Sequence, residues 1–187
     1  YWAFLVGAAA YTALLLTLGA GASFAQTAAT TVQRDVNQQT RIEQGLQSGA
    51  LNTKEAAKLE REESKVDRMQ ANALKDGKLT PAEKARLQAA QNQTSRDIAA
   101  AKHNEVTGNP QSASSQRMQA DVQRNINQEQ RIENGIKNGS VTNHEAARLE
   151  RGQARVHRKE ARAGLDGHVG AAEQAQHNQP GQAQGFV

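Results

Sequence analysis

Residues 32 to 62 read VQRDVNQQTRIEQGLQSGALNTKEAAKLERE, and residues 122 to 152 read VQRNINQEQRIENGIKNGSVTNHEAARLERG. The two stretches align without a gap at an offset of 90 residues, and 16 of the 31 positions are identical. Most other differences are conservative, such as Val36 in the first stretch against Ile126 in the second. An internal repeat provides two samples of one structural design. The chain is therefore a tandem duplication, and we call its halves copy 1 and copy 2.

The apolar residues of each copy recur at the spacing of an amphipathic helix. The apolar arcs of copy 1 comprise, first, Val32, Val36, Ile42 and Leu46 and, second, Ala56, Leu59, Val66, Met69, Ala73 and Leu74. We predict helices over residues 28 to 46, 53 to 74, 81 to 102, 117 to 136 and 143 to 164, with a frayed remnant from residue 171. No stretch shows the alternation of a strand. The predicted fold is all-α, a tandem helical-hairpin repeat of about five helices after an N-terminal signal or anchor segment.

Changes in composition divide the chain into segments. The stretch NEVTGNPQSASS between the copies has the Gly, Pro and Ser content of a linker, and copy 2 decays at its end into QPGQAQGFV. We assign residues 1 to 25 to a signal peptide or membrane anchor, 26 to 103 to copy 1, 104 to 115 to the linker, 116 to 173 to a truncated copy 2, and 174 to 187 to a disordered tail.

The N-terminal segment predicts export. No charged residue precedes Arg34, and the run WAFLVGAAAYTALLLTLGAGASFA is apolar or small throughout. The small-x-small pattern Ser23-Phe24-Ala25 is typical of a signal peptidase site, with cleavage before Gln26. An uncleaved anchor is the alternative, because roughly 20 apolar residues also span a bilayer. We therefore expect a periplasmic or secreted protein of a bacterial envelope.

Composition excludes several functions. The chain has 187 residues, no cysteine and a formal charge of +4, and Phe186 is its only aromatic residue after residue 25. Single-stranded nucleic acid is usually held by aromatic stacking, and small-molecule pockets are usually lined by aromatic groups. The sequence also lacks a nucleophile elbow and a phosphate-binding glycine loop. We expect no enzymatic activity, no cofactor, no small-molecule substrate and no nucleic-acid partner.

One short phrase occurs four times. It reads GALNTKE from Gly49, DGKLTPAE from Asp76, GSVTNHE from Gly139 and GHVGAAE from Gly167. In the first three, a glycine is followed by Asn52, Thr80 or Thr142 and, three residues later, by a glutamate. A glycine past a helix end and a capping box at the next helix start have this spacing. The phrase therefore predicts a turn between two helices.

The same phrase resembles the latter half of an EF-hand loop. That resemblance implies calcium binding, with Glu83 as the bidentate carboxylate and Asp76 at the fifth loop position. Counting back from Gly77, however, places Asn72 and Leu74 at the first and third ligand positions. A leucine side chain cannot ligate calcium, which needs six to eight oxygens. The sequence favours a structural turn, and divalent-cation binding at Asp76 and Glu83 remains the alternative function.

The second helix of each copy carries a basic strip. In copy 1 the strip comprises Lys54, Lys58, Arg61, Lys65 and Arg68, and the counterparts in copy 2 are His144, Arg148, Arg151, Arg155 and Arg158. Residues 144 to 162 contain six Lys or Arg against three Glu, whereas residues 54 to 72 are balanced. The strip is either a solvated face or a docking surface for an anionic partner. The candidate partner-binding residues are Arg148, Arg151, Arg155, Arg158 and Arg162.

Histidines and acidic pairs give no clear metal signature. The five histidines are His103, His144, His157, His168 and His177, and no two lie three or four residues apart. Because zinc and copper sites usually contain such clusters or cysteines, we expect exposed histidines. We also expect Glu62 and Glu63 on a helix surface. Gln39 and Glu129 fall near the middle of the first-helix apolar faces, which predicts a thin core.

These observations predict a non-enzymatic helical repeat protein that acts by surface binding or scaffolding. Its narrow apolar stripes favour association with a protein partner or a second copy of the chain. Its basic strip favours an anionic envelope component, such as a lipid headgroup or an acidic polysaccharide. Calcium binding is the alternative function.

Overall fold

A computed structural model describes residues 19 to 172 and residue 175, with side chains from residue 27 onward. It contains five α-helices and, within these residues, no strand: α1 (Gly19–Ser48), α2 (Thr53–Ala73), α3 (Pro81–Lys102), α4 (Ala113–Asn138) and α5 (Asn143–Ala163). The predicted all-α fold is confirmed. Most of the predicted signal segment and tail, and also Glu173, lie outside the described residues. Among the described helices, none combines the length and apolarity that a membrane span requires.

The repeated phrases form the turns between helices. Complete capping boxes begin three helices and pair Asn52 with Glu55, Thr80 with Glu83, and Thr142 with Glu145. Each box satisfies backbone N–H groups that the first helical turn leaves without partners. The four glycines of the phrases have φ between 77° and 89°, a left-handed conformation that glycine adopts without a Cβ clash.

Four helices form an antiparallel bundle in which each copy pairs with the other. At the middle of α2 and α5, the Ser64 hydroxyl donates to the Ala154 carbonyl at 2.7 Å, and these residues are 90 positions apart. Near the end of α2, the Asn143 side chain donates to the Gly77 carbonyl at 2.9 Å. Contact between equivalent residues at the middle of two antiparallel helices defines a pseudo-twofold axis. The α1–α4 pair obeys the same symmetry, since Gln33 lies against Glu133.

Each copy completes the apolar core of the other. One cluster near one end of the bundle joins Leu46 and Leu51 of copy 1 to Met118 and Val122 of copy 2. A second cluster near the opposite end comprises Ala28, Ala29, Val32, Ala73, Leu74, Leu79, Leu87, Ile132, Ile136, Ala146 and Ala147. Fully burying a leucine or isoleucine contributes about 1.5–3 kcal/mol, so neither hairpin retains its stabilisation without its partner.

The remaining elements pack on this bundle. Helix α3 lies against α1 and α2 through Leu87, Gln91, Thr94 and Ile98, its buried residues. The segment between the copies also packs closely, because the Gly108 amide donates to the Gly49 carbonyl at 2.8 Å. A Cβ at Gly108 would lie 2.3 Å from the Leu51 carbonyl oxygen, so only glycine fits there.

Candidate metal centre

Polar side chains occupy the middle of the bundle, between the two apolar clusters. Twelve of them are at most 4% exposed and form six pairs of equivalent positions in the two copies. We call them the buried polar cluster: Asp35 and Asn125, Gln39 and Glu129, Glu60 and Glu150, Glu63 and Gln153, Asp67 and His157, and Gln70 and Glu160. The first-helix positions Gln39 and Glu129, which the sequence places on the apolar faces, are both buried here.

Helical spacing puts these groups on one face of each helix. The four residues of α2 are separated by three, four and three positions, and those of α5 have the same spacing. Residues three and four apart lie above one another on a helix. Because both faces point into the bundle, their side chains converge on α1 and α4.

His157 lies at the centre of the cluster and is 0% exposed. Its Nδ1 atom is 2.9 Å from the Asp67 Oδ2 atom, and its Nε2 atom is 3.9 Å from the Glu60 Oε2 atom. The sequence interpretation of exposed histidines is therefore wrong for His157. The reason is tertiary: three of its four ligand-type neighbours, Glu60, Asp67 and Glu129, come from other helices, and only Glu160 shares α5 with it, so the spacing within one helix does not reveal the group.

Two sets of three side chains have ligand atoms within 4.8 Å of one another. One set comprises Asp67, Glu129 and His157, and the other comprises Glu60, His157 and Glu160. Ligand atoms bound at about 2.0–2.2 Å to a tetrahedral ion lie roughly 3–4 Å apart, so small side-chain movements would close either set around a metal.

Amide groups orient two of these carboxylates. Gln39 Nε2 donates to Glu60 Oε2 at 3.3 Å, and Asn125 Nδ2 donates to Glu160 Oε2 at 2.6 Å. Both amides come from the first helix of a copy and donate to the second helix of the same copy. Hydrogen bonds from neighbouring groups orient ligands in metal sites in this way.

Asp35 is held differently from the other carboxylates. Gln70 Nε2 donates to its Oδ2 atom at 2.6 Å, and Gln91 Nε2 donates to its Oδ1 atom at 2.7 Å. Both carboxylate oxygens are thus used in hydrogen bonds with α2 and α3. Asp35 therefore serves the structure of the cluster and does not offer a free ligand atom.

Other members of the cluster have no hydrogen-bond partner. Both carboxylate oxygens of Glu63, Glu129 and Glu150 are buried without one. The nitrogens of His157 also lack a well-aligned hydrogen bond, although Asp67 is close in distance. A buried polar group without a partner costs about 1–3 kcal/mol. Buried polar groups in folded proteins are normally satisfied by other groups, water or an ion, so orphaned groups of this number need such a partner.

Charge in the cluster is strongly unbalanced. The buried residues include no lysine and no arginine within the described chain, so His157 is the only cationic group among the carboxylates. Burial, opposed by His157 and reinforced by the Glu160 carboxylate, raises the pKa of Glu60 to about 8. Burial also raises the pKa of Glu63, Glu129 and Glu150 well above the ordinary range.

The carboxylates around His157 raise its pKa. Burial disfavours the charged imidazolium, but the carboxylates of Asp67, Glu60 and Glu160 outweigh it and raise the pKa well above 6.5. In a metal-free centre, protons are therefore favoured on Glu60, Glu63, Glu129, Glu150 and His157. A metal ion would have to displace them, which couples binding to pH.

The adjacent acidic pair also differs from the sequence expectation. Glu63 is 0% exposed, whereas Glu62 is half-buried toward Asp97 of α3. The expectation of a surface pair is wrong for Glu63, because α5 covers that side of α2. Burial and the Asp97 carboxylate raise the pKa of Glu62 to about 7.

The predicted calcium ligands lie in a turn outside the bundle. Glu83 Oε2 accepts hydrogen bonds from the Thr80 amide at 3.0 Å and the Thr80 hydroxyl at 2.6 Å. Asp76 Oδ1 accepts from the Lys78 amide at 3.0 Å. These carboxylates therefore already act as capping and turn groups. Neither belongs to the two ligand sets found among the described residues.

The predicted partner-binding arginines follow the outer side of α5. Arg148, Arg151, Arg155 and Arg162 are exposed, and Arg158 is half-buried. The Arg151 Nε atom donates back to the Ala147 carbonyl of its own helix at 3.3 Å. The strip and the buried polar cluster thus occupy opposite faces of α5.

Comparisons of the chain with known protein families, with curated proteins and with solved structures found no match. Its function is therefore argued from the arrangement of its own residues. Helical bundles hold metal ions with carboxylates and histidines that project inward from facing helices, and the buried polar cluster has this arrangement.

Proposed function

We propose that this protein binds a divalent transition-metal ion inside its helical bundle and has no enzymatic activity. The observation that carries the proposal is a fully buried histidine among carboxylates of α2, α4 and α5, with no buried lysine or arginine among the described residues to balance them. Buried carboxylates normally pair with cations or coordinate metals. A bound cation would give the unpartnered oxygens of Glu129 and Glu150 a role that the protein alone does not provide.

The ligand types select a class of metal. Carboxylate oxygens suit magnesium, calcium and manganese, and imidazole suits zinc, iron, copper and nickel. A set with one imidazole and two carboxylates, such as Asp67, Glu129 and His157, fits borderline divalent ions, for which manganese, cobalt and zinc are suitable probes. The absence of cysteine removes thiolate ligands.

Thermal unfolding tests the proposal directly. A ligand that binds only the folded state at a hundred times its Kd stabilises it by about 2.7 kcal/mol. For a chain of this size we expect zinc or cobalt to raise Tm by roughly 5–10 °C at pH 7.5, relative to the protein in chelator. Circular dichroism at 222 nm measures the shift. No shift with zinc, cobalt or manganese would reject metal binding.

Two variants locate the ion. His157→Gln should lose the metal-dependent shift, because glutamine cannot replace an imidazole ligand. Glu83→Gln is the matched control, since it removes a carboxylate from the surface turn and leaves the bundle intact. If calcium alone stabilises the protein and Glu83→Gln abolishes that effect, the EF-hand-like turn is the cation site and the bundle is not.

A second candidate function rests on the exposed arginines of α5. We propose that an exported form of the protein, periplasmic or secreted, docks on an anionic envelope component through Arg148, Arg151, Arg155, Arg158 and Arg162. Four of these five side chains are exposed, and none takes part in an ion pair among the described residues. Arginine forks suit phosphate and carboxylate groups.

Charge reversal tests this docking surface. Changing Arg151, Arg155 and Arg158 to Glu should abolish sedimentation with anionic liposomes and leave helicity unchanged. The equivalent change in copy 1, at Arg61, Lys65 and Arg68, is the matched control and should retain binding. Equal loss in both variants, or retention in both, would contradict a specific strip on α5.

A further inference from the structure

We propose that the centre holds two metal ions that are bridged by the imidazole ring of His157. This inference rests on the metal-binding function proposed above and specifies its stoichiometry. It follows from the position of one ring between two ligand sets, which share no other residue.

The geometry assigns a different ring nitrogen to each side. Nδ1 faces Asp67 at 2.9 Å, and Nε2 faces Glu60 at 3.9 Å. The two nitrogens lie on opposite sides of the ring with their lone pairs pointing apart, so a single ion cannot bind both. One ion would take Nδ1 with Asp67 and Glu129, and the other would take Nε2 with Glu60 and Glu160.

A single ion would leave half of the centre without a cation. Each ligand set supplies two carboxylates besides His157. An ion in one set would bind the two carboxylates of that set and would leave the two carboxylates of the other set, also within reach of His157, without an ion. A second divalent ion neutralises the remaining pair, and the result satisfies the rule that buried charges are paired or coordinate metals.

The remaining buried carboxylates support a pair of ions. Glu63 and Glu150 each have two oxygens without a hydrogen-bond partner, and both residues are 0% exposed. They lie on α2 and α5, which also carry four of the five proposed ligands, the fifth being Glu129 of α4. The protein therefore has carboxylate oxygens to complete the coordination of two ions, which usually need more than three ligands each.

The proton balance of the second binding step is simple. An imidazolium ring carries a proton on each nitrogen, and a neutral imidazole carries a proton on one nitrogen and a lone pair on the other. When the first ion binds, the extra proton of the imidazolium leaves to solvent, and the electron pair of that N–H bond forms the first nitrogen–metal bond. When the second ion binds, the N–H bond breaks, its electron pair forms the new nitrogen–metal bond, and the proton leaves to solvent. No oxidant or reductant is needed.

Stoichiometry tests the inference in the intact protein. Equilibrium dialysis against cobalt or zinc, followed by elemental analysis, should give two ions per chain at pH 7.5. Glu60→Gln with Glu160→Gln should reduce this to one, and Asp67→Asn with Glu129→Gln should also reduce it to one. One ion in the unaltered protein would overturn the pair and leave metal binding intact, whereas no ion would overturn both.

Electron paramagnetic resonance tests the bridge in the unaltered protein, with His157→Gln as the control. Two copper(II) ions on one imidazolate are magnetically coupled. The protein loaded with two copper ions should therefore show an uncoupled signal much smaller than that of two independent spins. His157→Gln, with its fold verified by circular dichroism, should bind no coupled pair. Two bound copper ions with the full uncoupled signal would overturn the bridge and would leave the proposed function standing.

Discussion

The buried faces of α2 and α5 descend from one sequence and now differ in chemistry. In chain order α2 presents Glu60, Glu63, Asp67 and Gln70, and at the equivalent positions α5 presents Glu, Gln, His and Glu. Only the first position, Glu60 with its counterpart Glu150, has kept the same residue. All the others have changed, yet every replacement is polar and buried.

The comparison separates what the bundle requires from what the centre requires. Replacing a buried ion pair with apolar residues of similar size is often neutral or stabilises the protein by about 1–4 kcal/mol. Packing alone would therefore favour apolar residues at these positions. Two divergent samples that both keep polar groups at all six pairs argue against a packing origin. The single histidine makes the pair asymmetric, and it is the residue that both ligand sets share.

The largest expected effect comes from making the two faces equally acidic. Within the part of the chain that the structure describes, His157→Asp removes the only buried cationic partner of Asp67 and Glu60. Breaking a buried pair costs about 3–5 kcal/mol, so Tm in chelator at pH 7.5 should fall by roughly 10 °C. Thermal unfolding followed by circular dichroism measures it. The control is His144→Asp at an exposed position, and an equal effect in both variants would contradict a special role of His157.

The next effect is the pH dependence of the metal-free protein. Because the folded pKa of Glu60 is about 8, against an ordinary 4.5, the folded state holds a proton that the unfolded chain releases between these pH values. Stability in chelator should therefore fall as pH rises from 5 to 8. The raised pKa of His157 acts in the same direction, since its contribution is complete below pH 6.5 and is lost as pH rises through the folded pKa.

Metal should reverse this slope, because ions compete with protons for the same groups. Melting curves recorded from pH 5 to 8 compare the slope of Tm against pH in zinc with the slope in chelator. Glu63→Gln gives α2 the amide that α5 has at this position, and it should flatten the slope in chelator. A metal-free Tm that rises across this range would contradict the buried acidic centre.

A smaller effect is expected where the copies meet on the pseudo-twofold axis. Ser64 donates to the Ala154 carbonyl, and its own counterpart is an alanine. Ser64→Ala makes the crossing symmetric and removes one hydrogen bond, which should cost about 1 kcal/mol in urea unfolding. Metal stoichiometry should not change. A loss of bound metal in this variant would show that the crossing positions the ligands.

The smallest effect concerns the caps that begin the two helices. Asn52 caps α2 and Thr142 caps α5, each with a glutamate three residues on. Asn52→Thr makes the caps alike and should change the free energy of unfolding by no more than a few tenths of a kcal/mol. Asn52→Ala should cost about 1 kcal/mol by the same measurement. If Asn52→Thr and Asn52→Ala change the free energy of unfolding equally, this capping box does not stabilise α2.

The sequence predicts the helices well where a capping box marks them. The predicted starts at residues 53, 81 and 143 coincide with the observed ones, because box and glycine together define a turn. The starts of α1 and α4 were predicted at 28 and 117 but lie at Gly19 and Ala113. The N-cap of α4 is Ser112, and the residue three positions after it is Ser115, not a glutamate or glutamine, so no capping box marks this start. Periodicity alone locates such a boundary poorly.

The centre was harder to predict than the fold. Acidic residues on helices usually face solvent, so the sequence of α2 alone predicts that Glu60, Glu63 and Asp67 are exposed. The signal that could have found them is the repeat itself, since the 3-4-3 spacing of polar residues recurs at the same positions in both copies. What no single sequence provides is the pairing of α2 with α5, and this pairing brings His157 to the acidic face.

The symmetric crossing of Ser64 and Ala154 has a consequence for the origin of the molecule. An interface in which the same patch meets itself across a twofold axis is that of a homodimer. The present chain has the symmetry of such a dimer, with its two copies joined covalently by residues 104 to 115, which raise the effective concentration of each half for the other. Fusion freed the halves to mutate separately, so one subunit could acquire an imidazole while its twin kept a carboxylate.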